Sequence, residues 1–141
     1  IFGHFMAVTT IPFILVGWVA GIQLPSAVIV ALIALLFLLG GLFMDSMALL
    51  MILVPMFLPL LEYLHLDLIW FGVLIVLLIE SGTITPPVGV NVFVVKGIAL
   101  HVPLQTIFRG ILPFLMALIV MIALIILFPG IATLLPSLIA Y

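Results

Sequence analysis

ESGTITPPVGVN, residues 80 to 91, decides the fold of this chain. It sits inside an apolar run from 68 to about 100, some 33 residues, too long for one straight bilayer crossing of about 20. Gly82, Gly89 and the Pro86–Pro87 pair argue against a continuous helix, because proline has no N–H and drives the residue before it into extended geometry. The spacing predicts two half-helices, about 68 to 80 and 88 to 100, joined by an unwound strip over 81 to 89.

The surroundings of this strip are lipid. Hydrophobic residues make up 70% of the 141, charged residues 4%, and mean hydropathy is +1.82, whereas a soluble domain is about half apolar and a quarter charged. Two basic and four acidic side chains cannot wet a surface, which excludes a cytosolic enzyme, and two cations cannot make a nucleic-acid patch. With no cysteine, a disulfide framework, a thiolate zinc site and a cysteine nucleophile are excluded. The apolar runs are continuous rather than alternating, so the chain is expected to be an all-α membrane protein. It opens on Ile1, its first apolar run carries none of the marks of a signal peptide, and it is expected to be part of a larger protein.

Inside a bilayer the strip has defined chemistry. The helical donors for the carbonyls of Gly82 and Thr83 would be the nitrogens of Pro86 and Pro87, which carry no hydrogen. Thr83 and Thr85 add hydroxyl oxygens. Bare carbonyls in lipid cost several kcal/mol each, and a small hard cation is their natural partner. The half-helix restarting near Val88 offers the N–H groups of Gly89 and Val90 and a positive dipole end, suited to an anion. An interrupted membrane helix of this kind points to a transporter binding site. A proline kink without a ligand is the plainer alternative.

Outward from the strip, 24 to 61 reads as a helical hairpin with its tip near 40 to 46, at Gly40, Gly41, Asp45 and Ser46; Asp45 or Ser46 would cap the second arm. Arms 25 to 43 and 46 to 61 are short enough for a re-entrant hairpin and long enough for two short spans. Residues 1 to 23 form an interfacial or transmembrane connecting helix, 101 to 110 a cytoplasmic link, 111 to 128 a transmembrane helix and 129 to 141 a tail. The two cations, Lys96 and Arg109, flank the link and place it inside. Trp18, Tyr63 and Trp70 are expected to anchor at membrane interfaces. Glu80, an acid at membrane depth, is a functional candidate by default, and Asn91 is placed to bond either substrate or a carbonyl. The three histidines share no ligand spacing with a carboxylate.

GLFMDSMALLMILVPMFLPL (41 to 60), WFGV (70 to 73), ESGTITPPVGVNVFVVKGI (80 to 98) and FRGILPF (108 to 114) together resemble the large membrane subunit of the tripartite ATP-independent periplasmic (TRAP) transporters, in that family's order and spacing. The resemblance runs from about residue 24 onward and corresponds to the C-terminal third. It implies one half of an inverted-repeat, elevator-type secondary transporter, with a re-entrant hairpin and a discontinuous transmembrane helix. It further implies sodium ions as coupling ions and no other cofactor, with Gly41, Asp45, Ser46, Thr83, Thr85, Pro86 and Gly89 in one sodium site and part of the substrate site. The reading of the strip itself adds the Gly82 carbonyl to the sodium site, and Asn91 beside Gly89 as a substrate contact. The implied partners are the remainder of the large subunit, a small membrane subunit, a periplasmic binding protein, the lipid bilayer and a carboxylate such as a C4-dicarboxylate or sialic acid. The implied location is the bacterial inner membrane. The first repeat is missing, so this piece alone is not expected to transport.

Three other readings compete. One is a different elevator carrier, an anion or citrate-type permease. Another is an intramembrane protease pairing Asp45 with Glu80, which would need both carboxyls on one water. The third is a purely structural subunit, which would need no broken helix.

Overall fold

The computed structural model describes residue 5 and residues 9 to 22, 24 to 86 and 89 to 139. These form seven helices of four residues or more: α1 (Ile11–Ile22), α2 (Ser26–Phe43), α3 (Ser46–Tyr63), α4 (Leu68–Ile84), α5 (Val90–Ile98), α6 (Leu104–Leu127) and α7 (Gly130–Ile139). No strand occurs among the described residues. By length and composition α2, α3 and α6 can each cross a bilayer, and the chain is an all-α membrane protein. The 12 residues of α1 rise about 18 Å, short of the roughly 30 Å hydrocarbon core. The rest of the expected connecting helix, residues 1 to 4, 6 to 8 and 23, lies outside the described residues.

Two residues, Met44 and Asp45, separate α2 from α3. Met44 is extended, and its N–H returns to the Gly40 carbonyl at 2.9 Å. Asp45 then starts α3, its Oδ2 accepting the N–H groups of Met47 at 3.0 Å and Ala48 at 3.4 Å. Both are among the orphan donors every helix start must satisfy. Pro55 and Pro59 lie inside α3 without ending it, as membrane helices tolerate where neighbours re-satisfy the backbone.

The turn into α4 is built by polar residues at an exposed end. His65 has φ 53°, its N–H bonds the Glu62 carbonyl, and the Leu66 N–H reaches back to Leu61, each at 3.0 Å. This is the paired closure of a helix whose post-terminal residue is left-handed. Asp67 immediately caps α4 through Oδ1, at 2.8 Å from Ile69 N and 2.9 Å from Trp70 N.

Helix α4 is the hub, packed by α2, α3, α5, α6 and α7, while α1 packs chiefly on α3. The core joins Phe37, Leu60, Leu61, Leu74 and Ile79. At its centre the Phe37 ring meets Phe57 and Phe71, each at 6.1 Å between centroids, the latter edge-on at 78°, a favoured arrangement of ring quadrupoles. Lipid is as apolar as these side chains, so close packing and internal hydrogen bonds hold such helices together.

Trp70 departs from its expected interfacial role. It is 7% exposed, and its indole Nε1–H donates to the Ile125 carbonyl in α6 at 2.8 Å. The reason lies four residues on. The helical donor for Ile125 would be the nitrogen of Pro129, which has no hydrogen, and the indole of another helix fills that place. Trp18 and Tyr63 are exposed.

Two further boundaries differ from expectation. Pro103 opens α6, its carbonyl accepting Thr106 N at 3.0 Å and Ile107 N at 3.3 Å. Most of the expected link, including Arg109, is therefore helical. The tail after Pro129 forms α7.

Candidate functional site: the hairpin tip against the broken helix

The break is shorter than the sequence suggests. Helix α4 continues through Ser81, Gly82, Thr83 and Ile84, because their N–H groups look backward and do not depend on the prolines ahead. Only Thr85, the residue before Pro86, is forced out, to φ −76° and ψ 132°. The Gly82 carbonyl is not stranded as expected, since the Thr85 N–H turns onto it at 3.1 Å. Pro86 is exposed; 87 and 88, part of the expected loop and the expected start of the second half-helix, lie outside the described residues.

The chain restarts at Gly89, with φ 42° and ψ 70°, a left-handed geometry that costs an L side chain but not glycine. Space makes the same demand. A Cβ there would stand 3.0 Å from Val92 Cγ2 and 3.3 Å from the Thr85 carbonyl oxygen. The turn thus seats the beginning of α5 against the end of α4. The Gly89 carbonyl then accepts Val92 N at 2.8 Å and Phe93 N at 3.3 Å to open α5.

The hydroxyls around the break bond backward along α4. Ser81 Oγ donates to the Leu78 carbonyl and Thr83 Oγ1 to that of Glu80, both at 2.8 Å, and Thr85 Oγ1 donates to that of Ser81. Asn91 Nδ2 donates to Thr83 Oγ1 at 3.2 Å, from α5 across to α4. Ser81 and Thr83 are buried, at 1% and 5% exposure, and no buried side-chain polar atom among the described residues lacks a partner.

The hairpin tip meets the end of α4 backbone to backbone. A Cβ placed on Gly41 would lie 2.8 Å from the Ile79 carbonyl oxygen and 3.3 Å from Gly82 Cα; one on Gly82 would lie 2.7 Å from the Leu38 carbonyl oxygen and 2.9 Å from Gly41 Cα. Two helices approach this closely only where both lack side chains.

Of the nine residues singled out from the sequence, the structure unites Gly41 with Gly82, Thr83 with Asn91, and Thr85 with Gly89. Asp45 is exposed and engaged on its own helix start, and Ser46, half-buried, is the first residue of α3. Glu80 is exposed, and its carbonyl takes the Thr83 hydroxyl. Sequence reasoning missed Ser81, whose signal was its place beside Gly82. It also missed the Leu38 and Ile79 carbonyls, which no residue type marks. Chemically the site offers peptide carbonyls and hydroxyl oxygens rather than imidazoles or thiolates. No group of three or more His, Cys, Asp or Glu able to hold a metal ion occurs among the described residues. Thr83 Oγ1 donates one bond and accepts one, which leaves acceptor capacity for a cation.

A helical hairpin whose tip abuts an interrupted helix is an arrangement that points to the membrane transporter class. Residues 1–131 match the family model described as the tripartite ATP-independent periplasmic transporter, DctM component, and the chain belongs to this family of large TRAP permease subunits. It is 36% identical to the sialic acid TRAP transporter large permease protein SiaM of Vibrio cholerae, over 98% of this chain and 32% of that protein. It is 33% identical to the C4-dicarboxylate TRAP transporter large permease protein DctM of Pseudomonas aeruginosa, over 97% and 32%. With the sialic acid TRAP transporter permease protein SiaT of Haemophilus influenzae the identity is 39%, over 86% and 19%. The chain spans about a third of the first two relatives and about a fifth of the third.

Proposed function

We propose that this chain supplies one cation site and part of the substrate chamber of a sodium-coupled TRAP permease that imports an organic acid. The observation that carries the reading is the backbone contact of Gly41 with Gly82, which brings the hairpin tip onto the end of the broken helix. Around that contact, Gly41, Ser46, Gly82, Thr83, Thr85 and Pro86 contribute carbonyl and hydroxyl oxygens to sodium, and Asp45 contributes negative potential while it caps α3. Gly89 and Asn91 begin the α5 half-helix, whose positive end faces an anionic substrate. The names of the relatives, one for sialic acid and one for C4-dicarboxylates, support a carboxylate as the substrate class.

In this reading the remainder of the large subunit provides the first repeat, inverted relative to this one, and the two repeats move as an elevator. A small membrane subunit supports the scaffold, and a periplasmic binding protein delivers the substrate at the bacterial inner membrane. The test is uptake by the full-length protein with its partners in proteoliposomes. Accumulation is expected only with an inward sodium gradient and the binding protein, and is expected to vanish in Pro86→Ala/Pro87→Ala, which lets the helix close through the break. Uptake indifferent to sodium would overturn the coupling. Uptake indifferent to the binding protein would overturn the proposed delivery of substrate by that partner.

A further inference from the structure

Thr83 and Asn91 are eight positions apart, one in the last turn of α4 and the other in the first turn of α5, yet their side chains are bonded at 3.2 Å. The polarity of that bond is fixed by the chemistry of its neighbour. Thr83 has one hydroxyl hydrogen, and it is committed to the Glu80 carbonyl at 2.8 Å. Facing Asn91 the hydroxyl therefore has only lone pairs, so the amide must present its NH2 group and not its oxygen. Gly89 makes the approach feasible, because its left-handed turn packs the restarting chain against the Thr85 carbonyl.

We infer that Asn91 is a positioning residue that holds the Thr83 hydroxyl in one orientation across the helix break, and that it does not contact the substrate. The inference rests on the cation site proposed above and replaces the substrate role expected for Asn91. A hydroxyl free to rotate would at times turn its hydrogen toward a cation and repel it. With that hydrogen on the Glu80 carbonyl and the Asn91 amide opposite, the buried oxygen keeps its remaining lone pair available. Asn91 thus acts on cation affinity through Thr83.

The experiment uses the full-length subunit with its partners in proteoliposomes, measuring uptake of radiolabelled N-acetylneuraminate or succinate against sodium concentration. Asn91→Ala is expected to raise the half-saturating sodium concentration by about three- to tenfold, the range of one neutral hydrogen bond, with the substrate KM at saturating sodium unchanged. Thr83→Val is expected to raise it at least as much, and the double variant to add little to Thr83→Val alone. A raised substrate KM at saturating sodium, an unchanged sodium response or additive shifts would each overturn the inference. A second measurement is independent of transport. Sodium-free hydrogen exchange of the backbone amides of residues 89 to 93 is expected to quicken in Asn91→Ala, and unchanged exchange would also overturn it. If wild-type uptake ignores sodium, the proposed function fails, and the exchange measurement alone judges the strut.

Discussion

The backbone of Gly41 occupies the space that a side chain on Gly82 would need, with the Gly41 carbonyl carbon and Cα each 2.9 Å from where that Cβ would sit. Because the obstacle is main chain, it cannot swing aside like the end of a leucine. Hairpin tip and broken helix are therefore fitted to one another at van der Waals contact, and a methyl group is enough to part them.

Gly82→Ala and Gly41→Ala are accordingly expected to destabilise the full-length subunit by about 1–3 kcal/mol, the usual cost of overpacking, and to reduce uptake sharply. Gly97→Ala, where a Cβ meets nothing within 4 Å, is expected to leave melting temperature and uptake near wild type. Thermal unfolding in detergent alongside uptake checks both; a Gly82→Ala protein of wild-type stability and activity would refute the close fit.

Trp70→Phe keeps a ring in the α4–α6 contact and removes only the indole donor. It is expected to cost about 1–2 kcal/mol, since the Ile125 carbonyl is left without a partner. Pro129→Ala supplies a backbone N–H at the position that would bond Ile125 in a continued helix. Trp70→Phe/Pro129→Ala is thus expected to be more stable than Trp70→Phe, and melting temperatures of the four proteins in this cycle decide it.

His65→Gly tests the left-handed turn between α3 and α4. A non-glycine residue at φ 53° carries a strain of roughly 1–2 kcal/mol, while the histidine side chain is exposed and outside the core. The glycine variant is expected to melt higher and the His65→Val variant lower.

Asp45 separates capping from charge. Asparagine caps a helix as well as aspartate does, whereas alanine loses about 1 kcal/mol. Asp45→Asn is expected to keep wild-type thermal stability and to raise the half-saturating sodium concentration several-fold; Asp45→Ala is expected to lose both. A wild-type sodium response in Asp45→Asn would remove its carboxylate from the cation site.

Much of this architecture was legible because proline speaks through one rule, the missing N–H. That rule located the break at Pro86 and Pro87. Its extent was misjudged, because residues 81 to 84 draw their hydrogen bonds from earlier residues and stay helical. The same rule at Pro129 held the clue to Trp70, but choosing an indole 55 positions away over a water or a lipid needs tertiary knowledge. The adjacent glycines at 40 and 41 suggest a bend, but both lie inside α2 and the chain turns at Met44 and Asp45. Gly82 marks a weak helix, yet nothing local says that Gly41 and Gly82 touch. The Asn91 bond to Thr83 was open for a related reason. The sequence leaves that side chain a choice between substrate and a carbonyl, and the bond it makes in the structure is to a hydroxyl.

The Lys96 ammonium donates to the Leu100 and Val102 carbonyls, each at 2.7 Å, and the Val102 N–H closes onto Ala99. Five residues that might have been a slack tether between α5 and α6 are thereby braced as an elbow. A tilt of the short half-helix at its restart would be conveyed through that brace to the start of α6, so an event at the break has a mechanical route into the neighbouring span.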